Sequence, residues 1–361
     1  MTAAARTSDS CGPSRVHVLN ASSLTKIAGL VLATVLIWLL LRAADWRSVV
    51  GEIRRSNILL LLCAWIFLGG TSWLLRAVRW RSLLITEKEV GFWPIFWANN
   101  AGNLGNVLLP ARAGEFIRSA MVGAGSGLTQ RFVLATAACE RIFDLFVFVT
   151  MAEIIVRYSP GIPDAVFQAI NFAFLFAVAG IVVLVIAARS EQWIHLVVAR
   201  YLRRTSLANR AEKYLEPLIA GVRTIYGRKQ MIRFIGLSVV IWLVDVSGAK
   251  LVAFAMGFAL SFRMAFVLTA GLVFINLIPA TPGQIGVYQW VVVRVLALSH
   301  IEYNRALAYS LVMQASSYFV LALLGVPGLM SYRKLRPRNE LPTIGAPEEV
   351  KSAPRWLQDP Q

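Results

Sequence analysis

The sequence predicts an all-α polytopic membrane protein with about six spanning helices and two re-entrant, broken helical hairpins arranged as an inverted repeat. Three observations predict it. Hydrophobic residues make up 57% of the 361-residue chain and charged residues only 15%, with a mean hydropathy of +0.64. That is more apolar surface than a water-soluble domain of this length can bury. The apolar residues fall in long runs separated by basic stretches. Two of the runs are interrupted by Pro and Gly, at 110–115 and 279–284, and the two interruptions match.

Residues 1–24 are small and polar and read as a disordered cytoplasmic tail. A first membrane half follows over 25–187. Its first run, 27–41, is short for a span, but Lys26 and Arg42 can snorkel and lengthen it. The tail before it and the lack of a small-residue cleavage site favour an uncleaved first helix over a signal peptide. Residues 57–75 form a second span. Arg76, Arg79 and Arg81 follow it with Trp80 among them, a pattern read as an interfacial anchor of aromatic and cations. The interrupted segment comes next. The sequence leaves open whether residues 92–131 are re-entrant or fully spanning. Residues 133–156 and 165–187 are further spans.

Residues 188–233 are a basic connector, with ten Lys and Arg between 189 and 233. Trp193, Val197 and Tyr201 share one helical face, as do Leu215, Leu218, Val222 and Ile225. The pattern fits an amphipathic helix on the cytoplasmic leaflet, and equally a solvated linker helix. A second membrane half covers 234–330. It has a span at 234–258 that contains Asp245 and Lys250, an interrupted segment at 264–298 and a last span at 306–330. Residues 331–361 begin basic, become polar, and read as a second disordered cytoplasmic tail.

The formal charge of +17 would suggest nucleic acid in a soluble protein. Here the cations flank apolar spans with no nucleic-acid motif beside them, so the positive-inside rule and anionic lipid account for them. Cys11, Cys63 and Cys139 lack metal or redox spacing, and His17, His195 and His300 are scattered. No metal, cofactor or catalytic residue is expected. Ser247 and Lys250 match S-x-x-K, a coincidence without its companion motifs.

Charge also orients the chain. With six spans and two hairpins, the amino-terminal region, 76–91, 189–233 and the carboxy-terminal tail share one side and carry 23 Lys and Arg, against seven opposite. The first side is therefore expected to be cytoplasmic. Four arginines in the 42–56 loop lie on the other side, against the trend.

The candidate site lies in the breaks. Aligned, Pro110-Ala111-Arg112-Ala113-Gly114-Glu115 and Pro279-Ala280-Thr281-Pro282-Gly283-Gln284 share Pro, Ala and Gly, and Asn106 and Asn276 lie just upstream. Thr281 can cap a half-helix with Pro282 at its first position and Gln284 closing a capping box; by alignment a second half-helix starts near Arg112, with Glu115 in its first turn. Such ends carry partial positive charge and suit a phosphate headgroup. Arg112 and Arg118 can grip a phosphate bidentately. Asn99, Asn103 and Asn106 form a polar stripe, with Gly102 and Gly105 permitting close approach. Glu140 and Asp144 share one face of their helix, with Arg141 expected to pair with a carboxylate. Glu140, Arg141, Asp144, Asp245 and Lys250 together form an intramembrane charge network, either part of a lipid pathway or helix-packing ion pairs.

The runs RAVRWR at 76–81, PARAGE at 110–115, ERIFD at 140–144 and PATPGQIG at 279–286 resemble the flippase-like membrane domain family over roughly residues 25–330. This is the membrane portion of lysylphosphatidylglycerol synthases (multiple peptide resistance factor), which also occurs in stand-alone proteins. The resemblance implies a bacterial or archaeal inner-membrane protein that moves or handles lipids, including hopanoid or other isoprenoid lipids. In full synthases a separate soluble domain aminoacylates the lipid; the short polar tail here leaves no room for it, so lysyl transfer by this chain alone is not expected. Relatives usually carry Gly at the position of Gln284 and Glu at that of Gln289, which puts a charge-coupled role at Gln289 in doubt.

The expected function is a lipid translocator that recognises membrane lipids with anionic phosphate headgroups, alone or as a homo-oligomer. The alternatives are the membrane subunit of a headgroup-modifying enzyme and, behind it, a scaffold that anchors a biosynthetic partner through the basic connector.

Overall fold

The computed structural model describes residues 34–35, 38–40, 42–84, 90–109, 113–158, 163–189, 228–277 and 282–335. Among these, every regular element is helical. A short amphipathic helix, α1 (Trp46–Arg55), is capped by Asp45, whose carboxylate accepts from the Arg47 N–H at 3.1 Å and the Ser48 hydroxyl at 2.6 Å. The long helix α2 (Ile58–Leu84) starts on Asn57, whose side-chain oxygen accepts from the Leu59 and Leu60 N–H groups. A π-helical turn interrupts it at Ala64–Gly69. Helices α3 (Phe92–Leu108) and α4 (Gly114–Ser126) form the first hairpin. Helices α5 (Gln130–Arg157), α6 (Asp164–Arg189) and α7 (Arg228–Ala255) follow. The second hairpin is α8 (Phe262–Leu277) and α9 (Val287–Ala297), and α10 (Tyr303–Leu335) closes the bundle.

Among the described residues, four helices are long and apolar enough to cross a membrane: Ile58–Leu84, Asp164–Val183, Lys229–Ala255 and Tyr303–Ser331. Helix α5 is as long, at 28 residues, but carries Glu140, Arg141 and Asp144 at its middle. The chain is a multi-pass membrane protein. Most of the 27–41 run lies outside the described residues, as do the connector from 190 to 227 and the tails 1–24 and 336–361. The hairpin helices have 17, 13, 16 and 11 residues. At 1.5 Å per residue each is shorter than the hydrocarbon core, about 30 Å.

The hairpins enter from opposite ends. The first opens where α2 and α10 finish and α7 begins, in a core that joins Leu83, Leu84, Val90, Leu128, Phe132 and Phe234 with Leu329 beside them. The second opens where α1 lies, in a core that joins Val49, Val156, Met256, Phe258, Leu296 and Leu307. At that end the Asn57 N–H donates to the Ala255 carbonyl at 2.7 Å, and the Tyr303 hydroxyl to the Leu40 carbonyl at 3.3 Å. The bend of the second hairpin rests against α3.

Several expectations need correction. The second span does not stop at Leu75. It runs to Leu84 and buries Arg79 and Trp80 at 1% and 0% exposure, so the arginine-rich stretch is not an interfacial anchor. Carboxylates of α5 and α7 neutralise it inside the bundle. Residues 228–233 belong to α7 rather than the connector, and α10 continues past Met330 to Leu335. The second half-helix starts at Val287, not Thr281. Residues Pro282–Gln284 make a single 3₁₀ turn, and Gly283, Gln284 and Gly286 have φ of 63°, 55° and 89°, through which a right-handed helix cannot propagate. The capping glutamine is Gln289, whose side-chain oxygen accepts from the Gly286 N–H at 2.8 Å.

Candidate functional site

The first hairpin closes backbone to backbone. A Cβ on Gly114 would sit 1.8 Å from the Gly102 carbonyl oxygen, so no larger residue fits. This contact brings the asparagine stripe of α3 against the first turns of α4. Asn106 donates to Glu115 at 3.3 Å, and Asn103 donates to the Asn99 carbonyl at 2.8 Å.

Four arginines and four carboxylates from α2, α4, α5 and α7 then interlock. Arg79, 1% exposed, donates to Glu140 at 3.0 Å and to Ser238 at 2.8 Å, and pairs with Asp144. Arg76 pairs with Asp245 at 2.6 Å and lies 3.5 Å from Asp144. Ser72 donates to the other Asp245 oxygen at 2.6 Å, and the Trp242 indole to Asp144 at 3.0 Å. Arg118, also 1% exposed, lies 4.6 Å over the Trp80 ring, donates to Asn99 at 3.2 Å and Glu140 at 3.3 Å, and pairs with Glu115. Arg141 donates to Asn103 at 3.3 Å and Glu115 at 3.2 Å. Glu140 and Glu115 each bridge two guanidinium groups. Breaking such a buried pair strands a charge, at about 3–5 kcal/mol.

The described part of the second bend is held by neutral groups. The Gly283 carbonyl, exposed by the break, accepts from Gln314 at 2.9 Å and from the Tyr318 hydroxyl. Gln314 also accepts from Gln289, so α10 ties the bend to the first turn of α9. Broken backbone at membrane depth must find such partners.

The structure brings together Asn99, Asn103, Asn106, Glu115, Arg118, Glu140, Arg141, Asp144 and Asp245. Arg118, expected at an open headgroup site, is instead enclosed, because the Gly102–Gly114 contact presses α4 onto α3. Arg141 does pair with a carboxylate, but on α4 rather than on its own helix. Lys250 does not join. It lies five residues, about 7.5 Å, from the end of α7, over the Phe262 ring at 5.6 Å. Gln284 stands in the second bend, with a left-handed φ of 55°. Arg112 and Thr281 lie outside the described residues. Sequence reasoning missed Ser72, Arg76 and Arg79 as site residues, and Gln314 and Tyr318 as partners of the second bend. The spacing i, i+4, i+7 of the first three was the available signal, since it puts them on one face of α2.

Three sequence runs scattered over α2, the first bend and α5 thus meet in one network, and the fourth makes the second bend. Residues 26–325 match the family described as the lysylphosphatidylglycerol synthase TM region. The chain belongs to this family. Within the curated proteins it is similar to the glycosyltransferase AglD of Haloferax volcanii, 23% identical over 341 residues, covering 85% of this chain and 54% of that protein. The chain therefore spans about half the length of the curated relative it matches. The family match agrees with the resemblance read from the four sequence runs.

Proposed function

We propose that this member of the lysylphosphatidylglycerol synthase TM-region family translocates a phospholipid or isoprenoid lipid between the leaflets of a bacterial inner membrane, with both termini cytoplasmic. One observation carries the reading: two Pro/Gly-broken hairpins enter from opposite ends, and the bend of the second rests against α3 of the first, an arrangement suited to a midplane site reached from either leaflet. The charged network at the first bend supplies polar chemistry that a bilayer does not tolerate without function. Anionic phosphate headgroups are the proposed cargo.

The test is lipid movement in liposomes that contain tail-labelled phospholipids and an outer-leaflet quencher. Translocation quenches well beyond half the label, and Arg112→Ala abolishes the excess. Quenching that stops at half for every phospholipid and isoprenoid lipid tried, with the protein folded, overturns the reading. A second reading is favoured by the names found among its relatives, a synthase and a glycosyltransferase: the chain is the membrane partner of a lipid-headgroup-modifying enzyme. Headgroup modification that depends on this chain, without lipid movement by it, would select that reading.

A further inference from the structure

We propose that Arg141 is the residue that grips the phosphate of a lipid headgroup, exchanging its contact with Glu115 for the phosphate diester while Arg118 stays fixed. The proposal rests on the translocator reading and names the contact through which the headgroup would be held.

The network contains four arginines that are not equivalent. Arg79 and Arg118 are locked, each 1% exposed and each held by two carboxylates and an aromatic face. Arg76 is 16% exposed and lies between Asp144 and Asp245 over the Trp242 ring. Arg141 is 40% exposed, and both its contacts, at 3.2 and 3.3 Å, come from one nitrogen, Nη2. Its Nε is buried without an acceptor. In the same network, Asn99 Nδ2 and Arg118 Nη2 are also buried donors without acceptors, on residues 2% and 1% exposed. A corner of the network with donors to spare calls for a group that only accepts, and a phosphate diester is such a group.

The exchange leaves no carboxylate without an arginine. When Arg141 leaves, Glu115 keeps Arg118 and Asn106, and Asn103, which is part-buried, gives up the Arg141 contact at its Oδ1 while its Nδ2 still donates to the Asn99 carbonyl. Withdrawing Arg79 or Arg118 would weaken two carboxylates at once, and withdrawing Arg76 would leave Asp245 to the Ser72 hydroxyl; Arg141 gives up a single carboxylate, which keeps another arginine. The apolar surroundings match a lipid. Leu108, Leu109 and Phe116, at the tip of the first hairpin next to Glu115, are 65%, 43% and 57% exposed. Acyl chains can lie there while the phosphate reaches Arg141.

The test uses the full chain in detergent and measures binding of a short-chain phosphatidylglycerol, the matching diacylglycerol and inorganic phosphate. Arg141→Gln is expected to weaken phosphatidylglycerol binding at least tenfold. Arg141→Lys keeps the charge, guarding against misfolding, but loses the planar fork, and is expected to weaken it severalfold. Arg157→Gln, on the same helix, is expected to change nothing. Full binding by Arg141→Lys or by a folded Arg141→Gln overturns the proposal. So does diacylglycerol binding as well as phosphatidylglycerol, or inorganic phosphate binding more tightly than the lipid. The same variants in vesicles of phosphatidylcholine and phosphatidylglycerol separate the two readings. Arg141-dependent binding without lipid movement overturns the translocator and leaves the site.

Discussion

The two hairpins face one problem, a helix broken inside a bilayer, and solve it with different chemistry. The first fits backbone against backbone at Gly102 and Gly114 and is tied to α2 and α5 by charges. The second is held by neutral side chains, with Gln314 and Tyr318 on the Gly283 carbonyl and Gln289 on the Gly286 N–H. The difference teaches which bend carries the chemistry. A neutral clamp satisfies the backbone and asks nothing of a ligand. The charged cluster at the first bend leaves Arg141 40% exposed, and on the proposed reading that is the arginine a lipid headgroup reaches.

If that contrast is right, substitutions at the first bend should be far more damaging. Arg79→Met should cost about 3–5 kcal/mol by taking from Glu140 and Asp144 the buried guanidinium they share, which leaves each with its more distant arginine, read as a collapse of the melting temperature in detergent. Gly114→Ala comes next. Its Cβ would overlap the Gly102 carbonyl, so the hairpin must open, at about 3 kcal/mol or more. At the second bend, Gln314→Leu removes a donor from the Gly283 carbonyl and should cost about 1–3 kcal/mol; a loss as large as that of Arg79→Met would break the comparison. Gly283→Ala should cost about 1–2 kcal/mol for its left-handed φ of 63°, since the nearest atom is the end of the Tyr318 side chain at 3.1 Å. Smallest is Glu52 of α1, outside both hairpins, where it pairs with Arg305 at 2.7 Å. The hydrogen bond from Arg305 holds its carboxyl below the usual range. That contribution, about 0.2–1 kcal/mol for a partly exposed pair, is present above the ordinary glutamate pKa of about 4.3 and fades as pH falls below it. Glu52→Gln should remove this part of the acid-side melting shift.

Membrane class, the two breaks and most of the first-bend residues were legible because each is local: an apolar run, a Pro-Gly interruption, an asparagine stripe. Arg79 was misread because a basic run after twenty apolar residues has the pattern of an interfacial anchor. Only the carboxylates of α5 and α7, 61 and more residues away, reveal otherwise. Arg118 was read as an open headgroup contact and not recognised as enclosed, because burial depends on how closely α3 and α4 approach. The start of the second half-helix was missed by six residues. Thr281-Pro282 has good capping chemistry, and the left-handed backbone that overrides it at 283–286 shows in sequence only as two glycines.

The π-helical turn at Ala64–Gly69 gives α2 a phase. A turn wider than α by one residue shifts everything beyond it by about 100° around the helix axis. Deleting one residue there would leave a span as apolar and more regularly hydrogen-bonded than before. It would also swing Ser72, Arg76 and Arg79 off the face that meets Ser238, Asp245, Glu140 and Asp144. The charges of this bundle are thus indexed by a rotation set upstream of them, and a frame-preserving deletion in an apolar stretch, with no charged residue touched, would unlock them.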